Sequence, residues 1–250
     1  MRFLHTADVH LGVKPDAGKA YSEKREKEIW SSFANMIELC EEKQLDLLLI
    51  AGDLFHRQPL LRERKEVNHL FAGLSHTKVV FIAGNHDYLK PDSYYHTFKW
   101  HQNVYPLLGK DIQCVVFPDL EVCVYGLSYH RREILEHYYD DATAQGRQRY
   151  EILLAHGGDE KHIPIKKQKL KALGYDYIAL GHIHKPQELD VSNIRYAGAP
   201  EPTDKNDIGD HGFVIGEITP RGVETKFVVR AERSYIHLIS EVEEAMTGYA

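Results

Sequence analysis

The sequence predicts an α/β fold with a parallel sheet at its start, and three observations carry that expectation. Short, almost wholly apolar runs alternate with longer stretches in which apolar residues recur every three or four positions. The early order is strand, helix, strand, helix, strand, which calls for the crossover connections of a parallel sheet. Each apolar run also ends in glycine or another small residue and then Asp, Asn or His. With 250 residues the chain can bury a sizeable core, and 43% hydrophobic against 27% charged residues excludes disorder as its main state.

Taken in order, the first run is Phe3-Leu4, closing at Thr6-Ala7-Asp8. From about Glu23 to Lys43, Ile29, Phe33, Ile37 and Cys40 line one helical face while Glu and Lys fill the other. Leu45 to Ala51 is nearly all apolar, as a strand covered on both faces must be. A second amphipathic stretch runs from about Leu61 to Leu74, followed by a buried strand from Val79 to Ala83. Gln113 to Phe117 and Glu121 to Leu127 read as a strand pair turning at Pro118-Asp119. The polar, tyrosine-rich stretch from Arg131 to Arg149 is expected to be helical with some loop. Ile152 to Ala155 and Tyr177 to Leu180 are two more apolar strands, separated by the lysine-rich stretch Lys161 to Lys171. Tyr196-Ala197, Phe213 to Ile218 and Thr225 to Val229 follow as consecutive strands. One domain is therefore expected over residues 1–230, built on a mixed sheet or a pair of packed sheets. Residues 231–250, with a strand-like Tyr235 to Ile239 and then an acidic segment, fit that domain less well.

Charge and cysteine content narrow the function classes. Lys and Arg number 31 against 37 Asp and Glu, a formal net charge of −6, so bulk charge does not make this a nucleic-acid binder. Contact with a polyanion would need a local patch or metal ions. The three cysteines, Cys40, Cys114 and Cys123, form no CxxC and no disulfide framework. Cys114 and Cys123 could face each other across the strand pair, but reduced thiols in a cytoplasmic protein are the expectation. No window reaches the length of a membrane span, and the polar start, with His5, Asp8 and His10, does not read as a signal peptide. Histidine is the unusual figure, at 16.

The histidines cluster where the strands end. The predicted strands close on Asp8-Val9-His10, Gly52-Asp53, Gly84-Asn85-His86-Asp87, His156-Gly157 and Gly181-His182-Ile183-His184. Ligands of open α/β sheets bind outside the carboxyl ends of the strands, so five such loops would converge on one site. Imidazole and carboxylate together suit Mn, Fe or Zn. A carboxylate can bridge two ions, and two ions roughly 4 Å apart activate a water and clamp a phosphoryl group. Two divalent ions against Asp8 and Asp53 would leave the site cationic, which suits a phosphate substrate. A lone Asp-x-His or a lone His is usually a surface or core residue. The ordered set, each member following a predicted strand, is not reached that way.

At these residues the sequence resembles the calcineurin-like metallophosphoesterase superfamily, across Asp8 to His184. The resemblance implies a four-layer αββα sandwich, two mixed sheets flanked by helices. It implies that Asp8, His10 and His184 hold one metal with Asp53, and that Asn85, His156 and His182 hold a second, Asp53 bridging. It implies a catalytic role for His86, which would stabilise or protonate the leaving oxygen. The opening Phe3 to Gly12, the stretch Gly52-Asp53-Leu54-Phe55-His56, and Tyr196 to Glu201 resemble the DNA-repair exonuclease branch, the SbcD-like nucleases. There His56 would help to position the phosphate. Two divalent ions, Mn²⁺ first and Fe²⁺ or Zn²⁺ as alternatives, would then serve a DNA exonuclease or endonuclease. Expected partners are DNA, a coiled-coil ABC-type ATPase and a second copy of the chain, with no membrane. These nucleases continue into a capping domain, so residues 231–250 would be the incomplete start of one.

Remaining residues get plainer expectations. His5 is a core residue, His130 and His137 lie at the surface, and Asp87 braces its loop by hydrogen bonds. Lys161, Lys166, Lys167, Lys169 and Lys171 are either a solvated helix face or phosphate contacts. Arg57, Arg62 and Arg64 carry the same two readings, with Arg57 favoured as a DNA contact because it follows the Asp53 loop. A small-molecule phosphodiesterase or nucleotidase is the alternative function. A protein phosphatase would carry Asp-Arg-Gly after its Gly-Asp, which this chain lacks. A non-catalytic scaffold would have lost ligands that are all present here.

Overall fold

Five consecutive residues, Leu47 to Ala51, show why the chain folds in layers. All are buried, and their side chains alternate: Leu47, Leu49 and Ala51 join one apolar cluster, Leu48 and Ile50 another. Strand side chains point to opposite faces in turn, so a strand apolar throughout must be covered on both. Val79 to Ile82, Ile152 to Ala155 and Tyr177 to Leu180 alternate in the same manner.

The computed structural model describes residues 1–190 and 193–241. The chain opens with β1 (Arg2–Thr6), α1 (Ser22–Glu42), β2 (Leu47–Ala51), α2 (Leu61–Ala72), β3 (Lys78–Ile82) and β4 (Val104–Pro106). Next come β5 (Gln113–Phe117), β6 (Val122–Gly126), β7 (Tyr150–His156), the one-turn α3 (Lys167–Leu170), β8 (Tyr177–Gly181), β9 (Gln187–Asp190) and β10 (Ile194–Tyr196). The hairpin of β11 (Gly212–Thr219) and β12 (Gly222–Val229) follows. Two mixed six-stranded sheets result, in the orders β12-β11-β1-β2-β3-β4 and β5-β6-β7-β8-β10-β9. β1 to β4 run parallel to one another, as do β6, β7, β8 and β10.

Three apolar layers hold the sheets. Between them lie Phe3, Leu47, Leu49, Val80 and Ile82 against Val122, Val124, Ile152, Leu154 and Tyr177. On the outside of the first sheet, Ile29, Phe33 and Ile37 of α1 and Val67 and Phe71 of α2 cover Leu48, Ile50, Val79 and Phe81. Each such fully buried side chain contributes about 1.5–3 kcal/mol. The outside of the second sheet is covered differently. Tyr129, Ile134, Tyr139 and Ile163 pack there from irregular chain, with α3 supplying Leu170.

Several expectations change at this outer layer. The stretch Arg131 to Arg149 forms no helix. Its backbone bonds elsewhere, Ile134 N–H to Lys161 O at 2.8 Å and Ile163 N–H to Ile134 O at 2.7 Å, and Tyr139 is buried from this irregular chain. The lysine-rich stretch is helical only over Lys167–Leu170; Pro164 disfavours helical backbone at Ile163 just before it. Tyr235 to Ile239 is not a strand: Tyr235 makes a single bridge to Ile208, and Ile236, Leu238 and Ile239 are exposed. Glu232 N–H donates to Glu201 at 2.6 Å, and the Arg233 guanidinium bonds both oxygens of Glu28 at 2.6 and 2.7 Å. The rest of the acidic segment lies outside the described residues. Cys114 pairs with Tyr125 and Cys123 with Val116 in the ladder, and both thiols are free. Among the described residues no helix is long and apolar enough to cross a membrane.

Candidate binuclear metal centre

The carboxyl ends of β1, β2, β3, β7 and β8 meet at one edge of the two sheets, and backbone bonds lock the loops together there. Asp8 N–H donates to Gly52 O at 3.1 Å and His10 N–H to Asp53 O at 3.0 Å. Two bonds cross between the sheets. The His182 N–H donates to the Asp8 carboxylate at 2.9 Å, and His156 Nδ1 bonds Ala51 O at 2.8 Å. Asp8, His10, Asp53 and His182 all have positive φ, at 52°, 52°, 51° and 98°. Non-glycine residues seldom sit there, and those that do concentrate where side chains must be aimed.

Two glycines clear the space. A Cβ on Gly52, whose φ is +89°, would lie 2.3 Å from His156 Nδ1. A Cβ on Gly84 would lie 2.2 Å from Asp53 Oδ1 and 2.7 Å from the Asp53 backbone nitrogen. Gly84→Ala is therefore expected to push the Asp53 carboxylate out of place, weakening divalent-ion binding at least tenfold while the fold survives. Calorimetric ion titration beside a thermal melt reads both; unchanged ion affinity would refute the crowding argument.

The donors fall into two sets that meet at Asp53, and the Asp8 carboxylate also lies near both. In the first, His10 Nε2 is 3.1 Å from His184 Nε2 and 3.8 Å from Asp53 Oδ2, with Asp8 alongside. In the second, His156 Nε2 is 3.4 Å from Asp53 Oδ2 and 3.0 Å from Asn85 Oδ1, which is 3.1 Å from His182 Nδ1. The Asp53 carboxylate stands between the sets, its Oδ1 also accepting the His86 N–H at 2.9 Å. Two imidazole nitrogens facing each other need either a shared proton or a cation. Metal–nitrogen bonds of about 2.0–2.1 Å span such a gap, so the donor set fits a divalent ion. The ligand-type rings also have their second nitrogen occupied: Nδ1 of His156 by Ala51 O, Nδ1 of His184 by Asp207 Oδ2 at 3.0 Å, Nε2 of His182 by Asp159 Oδ2 at 2.8 Å. That is how metal-binding imidazoles are oriented.

Asp159 and Asp207 escaped the sequence reading. Asp159 sits close behind His156, and its spacing from His162 was the available signal. Asp207 had none, because only the fold brings it beside His184.

The floor of the site is dry and the rim is not. Asp8, His10, Asp53, Asn85 and His156 are buried, while His56, His86, His182 and His184 are half-buried. Burial pushes Asp8 up to about 6, a rise that neighbouring His156 and His184 oppose. Burial holds His10 well below the usual histidine range, and burial with the charge of His156 holds His182 down at about 4. Burial would lower His156 too, but the Asp53 charge outweighs it and holds the ring up at about 9. Against burial likewise, the Asp207 hydrogen bond and the Asp8 charge hold His184 up at about 8. Without ions, His10 and His182 are thus neutral at pH 7, whereas His156 and His184 carry protons. Ion binding must displace those protons. About two are expected to leave per chain at pH 7, and affinity is expected to rise with pH up to about 9. Titration calorimetry in buffers of different ionisation enthalpy measures the release, and none at pH 7 would contradict the assignment.

Around this floor stand the other predicted residues. The rings of His56 and His86 lie 4.9 Å apart between centroids, and each packs edge-on to His10. His86 Nδ1 is 3.1 Å from His56 O. Asp87 braces the loop, accepting Gly84 N–H at 2.8 Å, Phe55 N–H at 3.2 Å and Tyr95 O–H at 3.0 Å. His5 is buried and bonds Tyr177 Oη at 2.9 Å; burial drops it to about 3, so it is a neutral core residue. The basic residues do not gather at the site as free cations. Arg57 makes two bonds to Glu63, at 2.9 and 2.7 Å, and Glu63 in turn caps α2 through Leu60 N–H. Lys166 faces Asp140 at 3.4 Å, Lys169 faces Asp141 at 3.1 Å and Lys171 faces Asp190 at 3.1 Å. Lys167 is exposed in the first turn of α3. Arg64 is buried and donates to Tyr94 O at 2.9 Å.

Known proteins share both the sequence pattern and the fold. The chain is 29% identical to the DNA double-strand break repair protein Mre11 of Methanocaldococcus jannaschii, covering 84% of this chain and 59% of that one. It is 26% identical to the uncharacterised metallophosphoesterase YhaO of Bacillus subtilis, over 91% of this chain and 60% of that protein. The chain thus spans about three-fifths of these relatives' length. Among solved structures, a dimetal phosphatase from Danio rerio and the protein TT1561 of Thermus thermophilus each superpose with a TM-score of 0.52 at 11% identity. Each match covers 90% of this chain and 98% of the other, which is a likeness of fold. Residues 1–186 match the calcineurin-like phosphoesterases, and with three-quarters of its length inside that match the chain belongs to their family.

Proposed function

We propose that the chain hydrolyses phosphodiester bonds of DNA, using two divalent ions with Mn²⁺ as the first choice. Asp8, His10, Asp53 and His184 would hold one ion; Asp53, Asn85, His156 and His182 the other. The observation that carries this reading is the common position of Asp53 between two donor sets, with His86 and His56 at the open rim. The names of the archaeal relatives support DNA as the substrate. When bound, the ions supply Lewis-acid activation of water and neutralise phosphoryl oxygens.

The chain's own residues do the rest. The buried floor excludes solvent beneath the phosphate, which strengthens each charge interaction made there. His86 gives its Nδ1–H to His56 O, so as an imidazolium it would carry a second proton on Nε2 and pass that proton to the leaving sugar oxygen. Its main-chain N–H fixes Asp53, which couples the rim loop to the donor sets. His56, edge-on to the His10 ring at the rim, would steer a non-bridging phosphate oxygen.

Degradation of end-labelled linear duplex DNA with Mn²⁺, run beside Asp53→Asn, tests the proposal. Metal-dependent cleavage lost in the variant is expected. A second reading is hydrolysis of a small phosphodiester, and the pairing of Arg57, Lys166, Lys169 and Lys171 with carboxylates supports it, because those four cations are not gathered as one free patch for a long polyanion. Turnover of bis(p-nitrophenyl) phosphate or a cyclic nucleotide without DNA cleavage would decide for it. The coiled-coil ATPase and the homodimer belong to the same proposal, and co-purification and sedimentation test them.

A further inference from the structure

With ions bound and both rings neutral, the two outer carboxylates would select opposite tautomers on the two histidines of the Gly181-His182-Ile183-His184 turn. A neutral imidazole has one lone pair and one N–H. His184 turns Nε2 toward His10 in the first donor set, so its Nδ1 must carry the hydrogen, and Asp207 Oδ2 receives it at 3.0 Å. His182 is reversed. It turns Nδ1 toward Asn85 in the second set, so Nε2 must carry the hydrogen, and Asp159 Oδ2 receives it at 2.8 Å.

Both carboxylates are themselves anchored. Asp159 accepts the backbone N–H groups of Lys161 and His162 at 2.8 and 2.9 Å, and its oxygens lie 2.9 Å from His162 Nδ1. The His162 ring lies against that of His182, with centroids 4.6 Å apart. Asp207 accepts the Thr203 N–H and O–H at 2.8 and 2.9 Å and the Asp204 N–H at 3.2 Å. One carboxylate comes from the loop after β7 and the other from the loop before β11, so nothing obliges them to move together.

Resting on the two-ion reading above, we infer that Asp159 and Asp207 are positioning residues, each serving a different ion, so that the ions can be removed one at a time. Asp159, His162 and His182 also lie close enough to share a cation of their own. That use would take the Nε2 lone pair of His182, which exists only if Nδ1 is protonated and withdrawn from the second set. The triad therefore orients His182 and does not compete with it.

Mn²⁺ titration of the full chain, followed by calorimetry and by electron paramagnetic resonance, tests the inference in Asp159→Asn and Asp207→Asn. Each variant is expected to keep one tight ion and to bind the other about 10–100-fold more weakly. At two equivalents the spectrum should show isolated Mn²⁺ where the wild type shows an exchange-coupled pair. Asn85→Ala, which removes a donor of the second set, should in Asp159→Asn weaken that same ion further and leave the first ion tight. Combined with Asp207→Asn it should leave neither ion tight. A thermal melt of each variant confirms that the fold persists, and Asp159→Glu, which keeps the charge, should restore part of the lost affinity. Two tight, coupled ions in both variants, or equal weakening of both ions by either one, would overturn the inference. A wild type that binds fewer than two ions would instead overturn the two-ion reading on which it stands.

Discussion

His86→Ala is expected to lower phosphodiester turnover by about 10²–10⁴-fold while both divalent ions stay bound, the range seen when one general acid or base is lost. The ring groups with His10 and His56 at the rim, outside the donors that surround Asp53. Its Nδ1 is engaged with His56 O at 3.1 Å, and the half-buried ring stands over His10 at the rim. Its contact with Asp53 runs through the main-chain N–H, which alanine keeps. Turnover and ion affinity should therefore separate in this variant. Because a general acid serves the leaving group, the loss should be larger for an alkoxide such as the sugar oxygen than for p-nitrophenolate, which leaves without help. Parallel kcat values on the two substrates, with Mn²⁺ content measured on the same samples, read this directly. Equal losses on both substrates would argue against an acid role, and loss of bound ions would return His86 to the donor set.

Asp53→Asn should do the reverse, with both ions weakened together and turnover below detection. Asp53 is the member common to both sets, within 3.8 Å of His10 and 3.4 Å of His156 through one oxygen. The substitution keeps shape and removes charge. In the ion-free protein that charge is what outweighs burial at His156, so the ring should lose its proton near neutrality in the variant. Removing one partner of a buried pair typically destabilises by about 3–5 kcal/mol when the other stays charged; deprotonation of the ring limits the loss here. Retention of one tight ion in Asp53→Asn would show that the carboxylate serves a single set.

The sequence made most of the layered core legible, because strands buried on both faces are apolar throughout and amphipathic helices repeat at 3.6. Leu47–Ala51 and the Ile29, Phe33, Ile37 face are found where those patterns place them. The stretch Arg131 to Arg149 misled because tyrosines buried from irregular chain show no period. β4 and β9, short strands with partly exposed residues, had no apolar run to announce them. The donors were visible because each follows a strand, and strand ends share an edge by topology.

What the sequence by itself determined is the chemistry available: which side chains stand at the strand ends, and that Asp, Asn and His prevail there. What only the tertiary structure decided is how each is used. Only the fold sets Arg57 beside Glu63 and Lys166 beside Asp140. Asp159 and Asp207 choose which nitrogen of His182 and His184 faces the site. Hydrogen bonds and ion pairs act over about 3 Å in space, whatever the separation along the chain. A carboxylate far from its histidine in sequence can thus set that histidine's tautomer, and only folding brings the two together.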